Sequence, residues 1–128
     1  MSQFIFKKLS YSLLQYAFSV HNLLGPGLLE SAYEGAYCVE LKKAGIHFDR
    51  QKVYPLYYKG EYVSAYIADL VVDNKIIIEL KSVSQLTKVM NAQLLNYLHL
   101  SKLQVGYLMN FNALRLEWKR FVNIGKGA

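Results

Sequence analysis

Only one cysteine, Cys38, occurs in the 128 residues. That excludes an intrachain disulfide and a thiolate-rich zinc cluster, and a cytoplasmic protein is expected because nothing asks for an oxidising compartment. Long apolar runs are missing as well. Ser10, Ser12, Gln15, Ser19 and His21 interrupt the stretch behind Lys7 and Lys8, and no small-residue cleavage site follows, so neither a signal peptide nor a transmembrane helix is expected. With only Pro26 and Pro55, no low-complexity linker and no internal repeat, the chain offers no place to divide it and is expected to form a single domain over 1–128. Acids are scarce too: 9 Asp and Glu stand against 15 Lys and Arg, a formal charge of +6. Such a balance favours a polyanionic partner, nucleic acid first among them.

What is abundant is apolar and aromatic. A hydrophobic share of 53% with 11 tyrosines lies far from the polar profile of disorder, so the chain is expected to fold around its own core. Leu9, Leu13, Tyr16, Ala17, Val20 and Leu24 recur at helical spacing behind a cap at Ser2 or Ser10, and Gly25, Pro26 and Gly27 end that helix. A second helix is expected from about 27 to 44, with Leu28, Leu29, Ala32, Ala36, Val39 and Ala44 as its apolar stripe. Glu30, Tyr33, Glu34 and Tyr37 form a neighbouring stripe, and Gly45 is the C-terminal cap. The period then changes to two. Strands are expected at 53–59, 62–72 and 75–82, the first near an edge because of Pro55, followed by a helix from Ser84 or Thr87 to Ser101. Further strands are expected at 105–111 and 114–122.

The loop between the second and third strands decides which side chains meet. A two-residue loop, Asp73 and Asn74, would put Asp69 and Glu79 on opposite faces. A three-residue loop, Asp73 to Lys75, pairs Val72 with Ile76, Leu70 with Ile78 and Ala68 with Leu80, an apolar face throughout. The other face then sets Val71 opposite Ile77, Asp69 opposite Glu79 and Ile67 opposite Lys81, and burial favours this odd-length register. Two carboxylates across a ladder repel unless something cationic lies between them. A hard divalent ion, Mg²⁺ or Mn²⁺, fits oxygen ligands, and Lys81 two residues beyond Glu79 would orient or activate a water. The plainer alternative is a diagonal Asp69–Lys81 salt bridge with Glu79 solvated at a sheet rim.

An Asp near a strand end, then Glu79, Leu80 and Lys81 on the hairpin partner, then a helix, resembles the PD-(D/E)XK nuclease superfamily. The stretch Gly27, Leu28, Leu29, Glu30, Ser31, Ala32, Tyr33 is similar to the signature of the small GxxExxY proteins. Gln93 to Tyr97 resembles the QxxxY motif of RecB-type exonucleases. The resemblance implies an α/β fold with a restriction-endonuclease-like core (helix, three antiparallel strands, helix, strand), plus an extra N-terminal helix and a C-terminal strand. It implies a Mg²⁺-dependent nuclease, DNA favoured, with Asp69, Glu79, Lys81, Gln93 and Tyr97 as catalytic residues and Glu30, Asp69 and Glu79 as metal ligands. His21 and Tyr33 are its auxiliary candidates. Ala68 departs from the proline of the name motif, and no recognition domain accompanies the core.

Each of these residues also has an ordinary use. Gln93 and Tyr97 are a polar pair at a core edge, His21 caps a helix, and Glu30 answers a helix dipole. Tyr33, Tyr37, Tyr57 and Tyr58 stack on unpaired bases or pack in a core or interface. Two other functions therefore stand beside the nuclease: a nuclease-fold subunit that binds nucleic acid or protein without cutting, and a homo-oligomer joined through tyrosines.

Overall fold

In the computed structural model, residues 5–123 are described. Their elements run α1 (Lys7–Leu24), α2 (Glu30–Lys43), β1 (Phe48–Tyr58), β2 (Glu61–Val72), β3 (Ile76–Lys81), α3 (Lys88–Ser101), β4 (Val105–Asn110) and β5 (Glu117–Val122). One mixed sheet holds the strands in the order β1-β2-β3-β4-β5. β3 and β4 are parallel, joined across α3, and the other neighbours are antiparallel. This is an α/β fold consistent with the restriction-endonuclease-like core expected from the sequence, with the additional first helix and last strand.

Two apolar layers cover the sheet. Leu13, Ala17 and Val20 of α1 and Tyr33, Tyr37, Cys38 and Leu41 of α2 pack on Leu70, Val72, Ile76, Ile78 and Leu80. On the opposite face, Leu94 and Leu98 of α3 pack on Val71, Ile77 and Leu108. Strand β3 is therefore covered on both sides, which is why it reads as an unbroken Ile76, Ile77, Ile78 run. Gly106 of β4 lets α3 sit close: a Cβ there would meet the Leu94 side chain at 3.1 Å.

Turn chemistry fixes the register. Asp73 and Asn74 both take positive φ, 52° and 54°, and Val72 pairs with Ile76, Val71 with Ile77 and Leu70 with Ile78. That is the three-residue loop favoured by burial. Lys59 and Gly60, φ 49° and 83°, close the β1–β2 hairpin between Tyr58 and Glu61, as a primed two-residue turn requires. Gly45 ends α2 in a Schellman arrangement, its N–H bonded to Lys42 O and that of Ile46 to Leu41 O.

Several expectations change. The first helix is entered through Phe6, and Ser10 is buried within it, while Ser2 lies outside the described residues. The face of α2 is the reverse of the expected one: Leu29 and Val39 are exposed, and the stripe of Tyr33, Glu34 and Tyr37 is buried. The reason is volume and hydrogen bonding, since two tyrosines fill more of the interlayer space than alanines and find acceptors for their hydroxyls. Strand β1 begins five residues early, at Phe48. Ala68 lies in the α3 layer with Tyr66, whereas Leu70, two residues on, lies in the α1–α2 layer with Leu80. The apolar face expected to run through Ala68 and Leu80 is thus broken at Asp69.

Leu94, fully buried over Gly106, carries the α3 layer. Replacing Leu94 with alanine should lower stability by roughly 2–5 kcal/mol in urea denaturation. A loss under half a kcal/mol would mean that α3 is not held by this contact.

Candidate active site

The break at Asp69 is a local failure of both ladders. Gln51 sits at φ 54°, a left-handed conformation costly for a residue with a side chain, and neither Gln51 nor Asp69 takes part in the regular β1–β2 pairing. Pairing of β2 with β3 stops after Leu70 and Ile78. Beyond that point side chains replace backbone partners. The Leu80 N–H donates to Asp69 Oδ2 at 3.0 Å, and the Asp69 N–H donates to Glu79 Oε2 at 3.3 Å. Asp69 and Glu79 are therefore brought together where the strands separate.

Their surroundings differ. Glu79 is 7% exposed, and its Oε2 also accepts from the Tyr66 hydroxyl. Tyr97 of α3 lies flat on that Tyr66 ring, centroids 3.4 Å apart and planes within 10°. Asp69 Oδ1 takes a hydrogen bond from Gln51 Nε2 at 3.4 Å, and Gln51 Nε2 also donates to both Glu34 oxygens, at 3.0 and 3.1 Å. Arg50 Nε donates to Glu34 at 2.6 Å, so this second buried acid is held by a cation. Glu79 thus approaches from the α3 layer and Glu34 from α2, with Asp69 at the seam between them.

Burial pushes the Glu79 carboxyl up to about 7, and the Asp69 charge adds to it against the lowering by the Tyr66 hydroxyl. Burial also raises Asp69, with the Leu80 N–H opposing, and the negative charges of Glu34 and Glu30 push it further. Lys81 favours the charged form of Glu79, yet among the described residues no ion pair joins it to Asp69. The salt-bridge alternative, with its solvated Glu79, is overturned on both counts.

Glu30 opens α2 at its first position and is exposed. The loop before it is tightly held. Tyr33, stacked on Phe111 at 4.9 Å, donates its hydroxyl to Gly25 O and accepts from Leu28 N–H. The Gly27 N–H reaches Asn112 Oδ1, and Ser82 Oγ donates to Leu28 O. Tyr33 is therefore a buried clamp that sets where Glu30 stands. Among the described residues, no group of three or more His, Cys, Asp or Glu is close enough to hold an ion. His21 bonds Ala113 O through Nε2, neither a helix cap nor part of the acid pair. Gln93 is exposed and lines a groove with Leu56, Tyr97 and Leu100. Arg120 bonds Tyr107 Oη and Ile5 O.

Sequence reading missed Glu34, Arg50, Gln51, Tyr66 and Asn110. Only Glu34 carried a signal, its place on the Tyr33–Tyr37 stripe. Asn110 is fully buried, bonds Val83 on both sides of its amide and reaches Glu117 Oε1, closing the strand ends beside Lys81.

Two oxygen-rich acids, both raised by burial, with no hydrogen bond on Glu79 Oε1 among the described residues, suit a hard cation that takes one or two protein carboxylates and keeps waters. Without a cation, the raised Glu79 has a measurable consequence. An acid with a higher pKa folded than unfolded stabilises the fold below the unfolded value of about 4.5 and loses that contribution as pH climbs to about 7, a span worth roughly 3 kcal/mol. In EDTA the protein should therefore melt lower at pH 8 than at pH 5, and Glu79→Gln should flatten the difference. Parallel pH profiles for the two proteins would contradict this.

Against known proteins, residues 7–121 match the model of the PD-(D/E)XK nuclease superfamily. The crystal structure of SSO0001 is similar in fold, with a TM-score of 0.53 at 19% identity, over 91% of this chain and 62% of that one. Our chain thus spans under two thirds of that protein's length. No functionally curated protein matches. With 115 consecutive residues matched, and an acid pair on the two hairpin strands that the family model covers, this chain belongs to the PD-(D/E)XK nuclease superfamily.

Proposed function

We propose that the protein is a divalent-metal-dependent nuclease that hydrolyses phosphodiester bonds of nucleic acid, DNA favoured, in the cytoplasm. The observation that carries the reading is the pair of carboxylates at the parting of β2 and β3, Glu79 buried and Asp69 half-buried, both raised by loss of solvent. Superfamily membership supports it, since nuclease activity is what the superfamily name describes. Asp69 and Glu79 would hold Mg²⁺ or Mn²⁺, with Glu30 as a third carboxylate drawn from the helix start. The metal, when bound, supplies Lewis-acid stabilisation of charge on the phosphate.

The remaining work falls to the chain. Lys81, on the same strand as Glu79, orients the attacking water and offsets negative charge as the water oxygen bonds to phosphorus and gives up a proton to solvent, while the P–O bond to the leaving oxygen breaks and that oxygen takes a proton from solvent water. Tyr97 acts through Tyr66 to hold Glu79. Gln93, one turn away on the exposed face of α3, reaches toward the phosphate, in keeping with the resemblance to the QxxxY pattern. Tyr33 sets Glu30, which gives the Gly27–Glu30–Tyr33 spacing a physical use.

A second reading, binding without cleavage, is favoured by one observation: among the described residues the acids gather as a pair rather than a trio. The two separate on one assay. Lys81→Ala should lower Mg²⁺-dependent cleavage by roughly 100-fold or more while its circular dichroism and melting stay unchanged. Wild type inert on single- and double-stranded DNA and RNA, with no Mn²⁺ heat in calorimetry, would leave the binding role.

A further inference from the structure

The β1–β2 hairpin outruns the sheet. Since β2 leaves β3 after Leu70, residues 53–67 form a two-stranded arm with no third strand paired to it among the described residues. Its base is braced by stacking of Tyr54 on Tyr66 and of Tyr66 on Tyr97. Toward its tip Tyr57, Tyr58 and Tyr62 are 59%, 63% and 61% exposed, far more than tyrosines that serve a core. A concentration of exposed aromatics on one projection marks an interaction surface.

The charges around it choose the partner. Lys59 Nζ lies 5.4 Å over the Tyr58 ring and Lys52 Nζ 5.7 Å over Tyr54. From Arg50 to Ala68 the only acid is Glu61, and from Leu80 to Leu116, which includes α3 beside the arm's base, there is none. A second copy meeting this patch through a two-fold axis would set lysines against lysines. Pro55 removes a donor from the edge strand and further discourages strand addition. Tyrosine faces interleaved with cations match unpaired bases on a phosphate chain, whereas a duplex keeps its base faces covered.

We infer that the arm is a stacking platform for single-stranded nucleic acid, which it leads toward Asp69 at its root. The inference rests on the nuclease reading above and adds the substrate class. From Tyr62 to Asp69 the strand spans roughly 20–25 Å, room for several nucleotides.

The test is fluorescence anisotropy of the whole protein with labelled oligothymidine and with a duplex of the same length, in EDTA so that cleavage plays no part. Single strands should bind more tightly than duplex. Substituting all three, Tyr57→Ala, Tyr58→Ala and Tyr62→Ala, should weaken single-strand binding roughly tenfold or more, while Tyr→Phe at the same positions keeps it. These side chains are exposed, so the fold should survive, as melting will check. Equal binding by the alanine variant, equal loss in the phenylalanine variant, or a preference for duplex overturns the arm. So does light scattering in which the alanine variant dissolves a wild-type dimer. If only the nuclease reading is wrong, oligothymidine binding persists without any Mg²⁺-dependent cleavage; if only the arm is wrong, the alanine variant cuts single strands as wild type does.

Discussion

Where β2 and β3 part, backbone N–H groups give up their usual partners and donate to carboxylates instead. Leu80 N–H turns to Asp69, and Asp69 N–H turns to Glu79. Buried backbone donors cannot go unpaired without cost, so the two acids are structurally required at the point where the ladder fails. The same placement removes them from water beside one another, which raises both pKa values. Structural need and the raised pKa values here come from one arrangement, and the rest of the fold is built to hold it.

Three elements do the holding, each from a different side. From α2, Glu34 fixes Gln51, and Gln51 steadies Asp69. From α3, Tyr97 presses Tyr66 into place over Glu79. From the strand ends, Asn110 and Ser82 tie the loops that flank Lys81 and Glu30. The strain at Gln51 fits this picture. A left-handed glutamine is unfavourable by itself and persists because its amide satisfies two acids at once.

Much of this is legible in the sequence. The register of β2 on β3 follows from parity, because one slip would set Leu70 and Val72 on the face opposite Ile76 and Ile78, whereas the four pack in a single layer against α1 and α2. The facing of Asp69 and Glu79 came with it. Parity fails where the backbone departs from regular extension, which is why Ala68 packs in the α3 layer instead of beside Leu70 and Leu80. The conformation of Gln51 has no signature in residue type, so the break it accompanies was invisible. On α2, hydropathy ranked alanine and valine above tyrosine, yet two tyrosines with hydroxyl partners fill the layer better than short side chains do. The role of Glu34 has no local signal beyond its place on the Tyr33–Tyr37 stripe, because its partners, Arg50 and Gln51, lie sixteen and seventeen positions away on a stretch of strand outside the expected bounds.

Strand β2 links these layers into one object. At Leu70 to Val72 it is core, at Asp69 it carries one acid of the pair, at Tyr66 it donates to the other acid, and beyond that it becomes one strand of an exposed arm. A shift of this strand by one residue would at once bury the wrong face, misplace both carboxylates and turn the arm. The bulge between Leu56 and Tyr57 therefore lies well out on the arm, where pairing can change without cost to the site. Departures from regular pairing at the far end of the arm leave untouched the β2–β3 register that sets Asp69 beside Glu79.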